Sequence, residues 1–402
     1  MSDFAYSLSK EVASQSEMYH GAPASAKADG SLQRPPDTDI FVVGGGPAGL
    51  AVAIAASQSG FRVMVADGAP PPIEKSCGEG MMPETCSALR ALGVEINPAH
   101  GHRFSGIAFN QPGARVFADF PQGYGVGLRR LLLHEQLIAR AERCGSQMLW
   151  KTPVSCIDAD EVQLPSGKVR ARWIVGADGH GSRVRRWSGL ESAGPKTRRY
   201  ATRRHYGVKP WSKYVEVYWG SRAQVCVTPI GAEELCVVVM SESVEDASFA
   251  NCFQELPELA DRLAGAEISS RERGAVTSTR SLQRVQRGNV ALVGDASGSV
   301  DAITGEGLRL AFQQAFALTD AMLTGTLDSY GRAHARLARH PMFMGDLMLW
   351  LGRNPRLRSR VVCSLCSNPA LFARLLATHV GAADSVDIIS TGASLGWRLL
   401  TT

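Results

Sequence analysis

The sequence predicts an α/β fold: a parallel sheet wrapped by helices, interrupted by an inserted mixed or antiparallel sheet, and followed by a helical C-terminal segment. Three observations predict it. The apolar run at residues 39–43 passes through Gly44-Gly-Gly-Pro-Ala-Gly49 into a second apolar stretch at 50–56, the order of strand, tight turn and buried helix. Runs rich in β-branched and aromatic residues recur at 215–219, 224–228 and 235–240, spaced as short strands joined by turns. Beyond residue 340, apolar residues fall at helical spacing among arginines.

The first turn sets the chemistry. A strand that turns on glycines into a helix leaves the first N–H groups of that helix unpaired and pointing outward, where they bind a pyrophosphate. Gly44 lets the backbone bend sharply, Gly46 removes the Cβ that would block the phosphates, and Gly49 lets the helix lie close against the strand. Pro47 and Ala48 complete the turn, and the missing N–H of Pro47 is no loss so near the helix start. A second strand, residues 61–66, ends at Asp67, an acid placed to accept hydrogen bonds from an adenosine ribose. Strand, turn, helix, strand and acid in this order predict a Rossmann-type dinucleotide-binding unit.

The remaining elements follow in order. After Asp67 a proline-rich loop at 69–72 leads to Lys75-Ser-Cys-Gly-Glu-Gly80 and a short amphipathic helix from Pro83 to Leu92. Residues 124–137 predict a short extended piece entering a helix that stops before Gly145. Two further glycine turns, Gly176-Ala-Asp-Gly179 and Gly294-Asp-Ala296, each end an apolar strand. The expected organisation is an arm at 1–36, a dinucleotide-binding domain in two parts at 37–190 and 286–325, a substrate sheet at 191–285, and a helical segment at 326–402. The arm is small and polar and predicts disorder; it has no apolar core for a signal peptide, and its acids argue against a transit peptide.

Residues 173–185 and 288–296 resemble the second and third fingerprints of the flavoprotein hydroxylase superfamily, a likeness covering about residues 38–325. The resemblance implies FAD. It puts Asp178 and Gly179 in the second fingerprint and sets Gly294 and Asp295 against the ribityl and pyrophosphate chain, although a turn or helix-cap aspartate is the plainer reading of Asp295. A helix starting near Gly305 and Gly307 is then aimed at the flavin ring, where a positive helix end favours the negative charge of reduced flavin. The family's basic residue before a CGxG-like turn corresponds to Lys75, either on phosphate or solvated. Its arginine at a helix start corresponds to Arg130 in Arg-x-x-Leu-His-x-x-Leu, with Arg129 the alternative register. In this superfamily a mixed sheet covers the flavin, so residues 228–231 are expected to face it. Tyr218 and Trp219 either line an apolar cavity or fill the core.

The same turns divide the chemistry. Aromatic hydroxylases of this superfamily usually follow Gly-Asp-Ala with a histidine and a proline-containing loop, whereas Ser297-Gly-Ser-Val-Asp301 and Thr304-Gly-Glu-Gly307 stand here. Those residues, with Lys75-Ser-Cys-Gly78, resemble geranylgeranyl reductases, which saturate prenyl double bonds with hydride and a proton. Gly78-Glu-Gly-Met-Met-Pro83 is partly similar to flavin halogenases, but no WxWxIP segment accompanies it. The expected function is an FAD monooxygenase using NADPH or NADH on an apolar or aromatic small molecule, because oxygenating members are the more numerous. Prenyl reduction is the alternative and halogenation a distant third. Glu306 and Cys77 are the catalytic candidates; helix capping explains the glutamate equally well, and core packing the cysteine.

Composition excludes more than it selects. A chain of 402 residues with 45% apolar content fills a sizeable core, and a formal charge of +5 without a Lys/Arg-rich block argues against nucleic acid. Nine cysteines, an odd number, predict reduced thiols in the cytoplasm. Cys363-Ser-Leu-Cys366 lacks a second pair, so no metal is expected. No uninterrupted apolar run reaches spanning length. The arginine-flanked C-terminal helices either touch a membrane peripherally or cover the substrate sheet.

Overall fold

The computed structural model describes residues 35–97, 100–192 and 194–381, so the arm expected at 1–36 lies outside them except for its last two prolines. Residues 40–43 are apolar without a break, as befits a strand covered on both faces. Thr38–Val43 pairs in parallel with Val63–Asp67 on one side and Gly167–Gly176 on the other. Val290–Leu292 and Gln147–Trp150 extend the parallel sheet at its two ends. Helix Pro47–Gln58 covers one face together with helix Gly307–Leu323, burying Ile40, Val42, Leu50 and Phe312 in one core. Phe41, Val43, Ile174 and Leu292 point the other way into a second. The result is a Rossmann-type dinucleotide-binding architecture.

The predicted strand runs at 215–219, 224–228 and 235–240 form Tyr214–Trp219, Ala223–Gly231 and Glu234–Ser241, an antiparallel meander. Thr197–Gly207 joins it antiparallel, and Gly106–Gln111 joins parallel to Tyr214–Trp219, which makes the sheet mixed. Gly106–Gln111 and its partner Ala114–Asp119 lie upstream of the 191–285 segment, so the sheet draws on more of the chain than that segment. A third, small sheet of Gly80–Met81, Gly101–Phe104 and Gly125–Leu128 stands between the two large ones.

Three helices close the described chain: Asp328–Arg353, Pro355–Ser367 and Pro369–His379. Each break falls at an asparagine before proline, where the helical region is sterically disfavoured. Val361, Val362, Leu365, Leu371, Phe372 and Leu376 pack with Val217 and Trp219, so these helices cover the mixed sheet. Among the described residues no single helix is long and apolar enough to cross a membrane.

Candidate functional site

The three glycine turns meet at one cavity of about 700 Å3, walled by both large sheets. Gly44, Gly46, Pro47 and Ala48 line it from the first turn, Asp178 and Gly179 from the second, and Gly294 and Asp295 from the third. Asp67, Lys75, Cys77, Arg130, Gly305 and Gly307 complete the set. Among the cofactor and catalytic candidates, Gly49 and Glu306 do not line it.

Gly49 acts from behind. A Cβ there would overlap the Gly44 carbonyl oxygen, so the helix sits this close only because that carbon is missing. Gly44 itself has φ +112°, a conformation L side chains rarely adopt. Gly46 differs: its backbone is ordinary extended chain, and a Cβ at this position would have no protein atom within 4 Å. Nothing in the fold requires glycine at 46; a ligand pressed against that backbone would. Asp67 accepts hydrogen bonds from Gly45 N and Ala69 N, both at 2.8 Å, which holds the carboxylate at the cavity edge.

Sequence alone puts His134 on a helix surface or in the core, without a task. It is fully buried; its Nε2 lies 2.7 Å from the Gly45 carbonyl and its Nδ1 accepts from Ile73 N at 3.1 Å. The ring is thus a neutral strut, an N–H donor to the glycine turn, and burial pushes its pKa down, consistent with that.

Electrostatics vary around the wall. Lys75 Nζ pairs with Asp295 Oδ2 at 2.7 Å. Burial works to raise the Asp295 carboxyl, but Lys75, with His180 and Arg130 behind it, outweighs burial and holds it below the usual range. Asp178 accepts from Arg183 N at 2.6 Å and Val184 N at 3.1 Å in the first turn of helix Arg183–Trp187, whose cap is Ser182, so its carboxylate shapes the turn. Arg129 forks onto Glu234 of the mixed sheet, while Arg130 lines the cavity with its Nε buried and unpartnered. Glu306 departs from expectation. It is 1% exposed, turned away from the cavity into a pair with Arg309, and burial raises its carboxyl. It makes no side-chain cap to its own helix, which leaves the first turn of Gly307–Leu323 facing the cavity at Gly307.

A buried network leaves no trace in the sequence. Glu79, beside Cys77, adopts φ +59° and is 4% exposed; its Oε1 accepts from Arg130 N at 2.9 Å and its Oε2 lies 2.6 Å from His205 Nε2. Arg203 packs on the same histidine ring and reaches Glu74 at 2.7 Å. Glu79, His205 and Cys236 also bring one potential metal ligand each within 4.8 Å of one another, but the Arg203 guanidinium against the imidazole opposes a cation there.

The far end of the cavity is apolar. Ile107, Val215, Val217, Val238 and Met240 line it, and so does the buried Thr228, alone of residues 228–231. Tyr218 and Trp219 line none of it, because alternation sends Tyr218 to the opposite sheet face and Trp219, on the right face, sits beyond the cavity against Phe109 and Arg358.

These residues fit FAD: a Cβ-free approach at Gly46, two helix N-termini, an unpartnered buried Arg130 Nε and acids at separate points of one cavity. The FAD binding domain family matches residues 37–338. The menaquinone reductase of Mycobacterium tuberculosis is 28% identical over 67% of this chain and 72% of its own length. The rifampicin monooxygenase of Streptomyces venezuelae is 27% identical over 76% of this chain and 68% of its own. A solved flavoprotein/dehydrogenase from Cytophaga hutchinsonii superposes with a TM-score of 0.72 at 17% identity, covering 85% of this chain and 92% of that one. A family match over most of the chain and a cavity built to its requirements agree: the chain belongs to the FAD binding domain family and is an FAD-dependent oxidoreductase.

Proposed function

We propose that the chain is an NAD(P)H-using FAD monooxygenase acting on an apolar or aromatic small molecule. The observation that carries this reading is the continuity of one cavity from the glycine turns to the apolar wall at Val215, Val217 and Met240. An apolar substrate docked there is desolvated by the sheet and held against the end of the cavity that the flavin ring would occupy. FAD, when bound, supplies the redox chemistry. The chain's own residues supply the rest: Gly46 and the N-terminus of helix Pro47–Gln58 bind phosphate, the N-terminus of helix Gly307–Leu323 faces the flavin ring, Lys75 and Asp295 set the charge at the mouth, and His134 fixes the turn. The likeness to the monooxygenase also extends over more of this chain than the likeness to the reductase.

Cys77 on the cavity wall favours a second reading, reduction of a prenyl double bond, since it stands on the turn that resembles geranylgeranyl reductases. Oxygen separates the two. With substrate present, a monooxygenase consumes one O2 per NAD(P)H; sustained product formation under argon overturns the first reading in favour of the second. A cytoplasmic protein with peripheral membrane contact is the accompanying proposal. All nine cysteines are free, and Phe343 and Trp350, one heptad apart on helix Asp328–Arg353, are 60% and 52% exposed. Liposome co-sedimentation that is the same with and without Phe343→Ser and Trp350→Ser removes the membrane part.

A further inference from the structure

A second cavity of about 660 Å3 lies behind the loop that carries Asp295, within the size range of nucleotide and cofactor pockets. Ser299 and Val300 line both cavities and so form a wall between them. The second cavity is basic: Arg280, Arg284, Arg287, Arg332 and Arg339 line it, against Asp328 as the acid. Arg280 is engaged with Glu191 and Arg287 with the Ser188 carbonyl. Arg284, Arg332 and Arg339 make no hydrogen bond or ion pair among the described residues, although each side chain carries five donors. Three unpaired guanidinium groups around one concavity leave a positive field that Asp328 answers only in part.

Below the arginines the wall is apolar, at Val285, Leu310 and Met342, which suits a flat base. The Asp295 loop is anchored from this side. His334 Nε2 lies 2.8 Å from Ser297 Oγ, which in turn donates to the Gly294 carbonyl at 2.8 Å, and Gln314 accepts from Gly294 N at 2.7 Å.

We propose that this second cavity binds the phosphate-bearing adenosine half of a nicotinamide nucleotide, with Arg284, Arg332 and Arg339 on its phosphates. The assignment rests on the NAD(P)H-using reading above. Arginine suits phosphate because its planar fork presents paired N–H donors. A ligand there abuts Ser299 and Val300, one loop away from the flavin cavity, and the anchoring histidine stays neutral near physiological pH because burial lowers its pKa to about 4.

The test uses FAD-loaded protein and 2′,5′-ADP, which carries base and phosphates but no reducible ring. Calorimetric titration is expected to show binding that weakens at least tenfold in the Arg332→Gln/Arg339→Gln variant, with flavin absorbance and melting temperature unchanged because both arginines are exposed. Inorganic pyrophosphate should compete, but more weakly than the nucleotide. Replacing 2′,5′-ADP by 5′-ADP distinguishes the sources of the phosphates: preference for the 2′-phosphate fits NADPH, equal binding fits NADH. An unchanged dissociation constant in the variant overturns the site, and so does pyrophosphate binding as tightly as the nucleotide. Protein that takes up no FAD yet binds 2′,5′-ADP overturns the proposed function and leaves this site standing; FAD-loaded protein without such binding does the reverse.

Discussion

Lys75 Nζ stands 2.7 Å from Asp295 Oδ2 although 220 residues separate them, tying the turn after the second strand to the third glycine turn. Without the lysine, the carboxylate faces an incoming pyrophosphate unneutralised. Lys75→Met is therefore expected to weaken FAD binding about tenfold, near 1.4 kcal/mol, and the deficit should shrink in 1 M salt. Adding Asp295→Asn should restore most of the loss, and a double-mutant cycle measured by flavin fluorescence checks it. The flavin-free melting temperature should barely move, because the pair is half exposed.

Two glycines three residues apart make opposite predictions. At Gly49 an added Cβ strikes the Gly44 carbonyl, so Gly49→Ala should destabilise the flavin-free protein by about 1–3 kcal/mol in urea unfolding. At Gly46 the added carbon meets no protein atom, so Gly46→Ala should leave that stability unchanged and still reduce FAD retention after desalting. If Gly46→Ala retains FAD like the parent, the phosphates do not lie against this turn.

That contrast explains what the sequence makes legible. Glycine turns announce themselves because close approach of backbone, helix or ligand leaves a residue type behind, and the apolar strand beside each one fixes its context. The Glu79–His205 network leaves no such mark. On strand Thr197–Gly207 the buried face carries Arg199, Arg203 and His205, but Arg198, Thr202 and Arg204 make the opposite face polar too, so no alternation marks which face is buried. Burial of that face follows from the sheet's position over the cavity, a long-range fact. Glu306 misleads for the converse reason: its place at a helix start suggests exposure to a ligand, yet Arg309 one turn on draws it inward.

The network should be costly to break. Glu79→Gln keeps the shape but removes the charge that faces His205 and Arg203, leaving the guanidinium to Glu74. A loss of about 3 kcal/mol in urea unfolding is expected. Glu79→Gln combined with Arg203→Met should lose less than the two single changes added together, and strict additivity would mean that the groups are not coupled.

Acid should unfold the protein through buried histidines. His334 and His379 are each pushed down to about 4 by burial, and His379 is held as a neutral donor to the Thr304 carbonyl at 3.1 Å. In the unfolded chain both titrate near 6.5. Below that value the unfolded state takes up protons that the folded state refuses. Their contribution is therefore intact above pH 6.5 and lost progressively down to about pH 4, by up to about 3 kcal/mol for each. Glu306 works in the opposite direction, since burial raises its carboxyl and its protonated form suits the folded state, so it offsets part of the loss. Urea midpoints at pH 7, 5.5 and 4.5 should fall steadily, and His379→Gln should flatten the fall relative to its own pH 7 value; an equal slope in the variant would show that His379 takes up protons alike in the folded and unfolded protein.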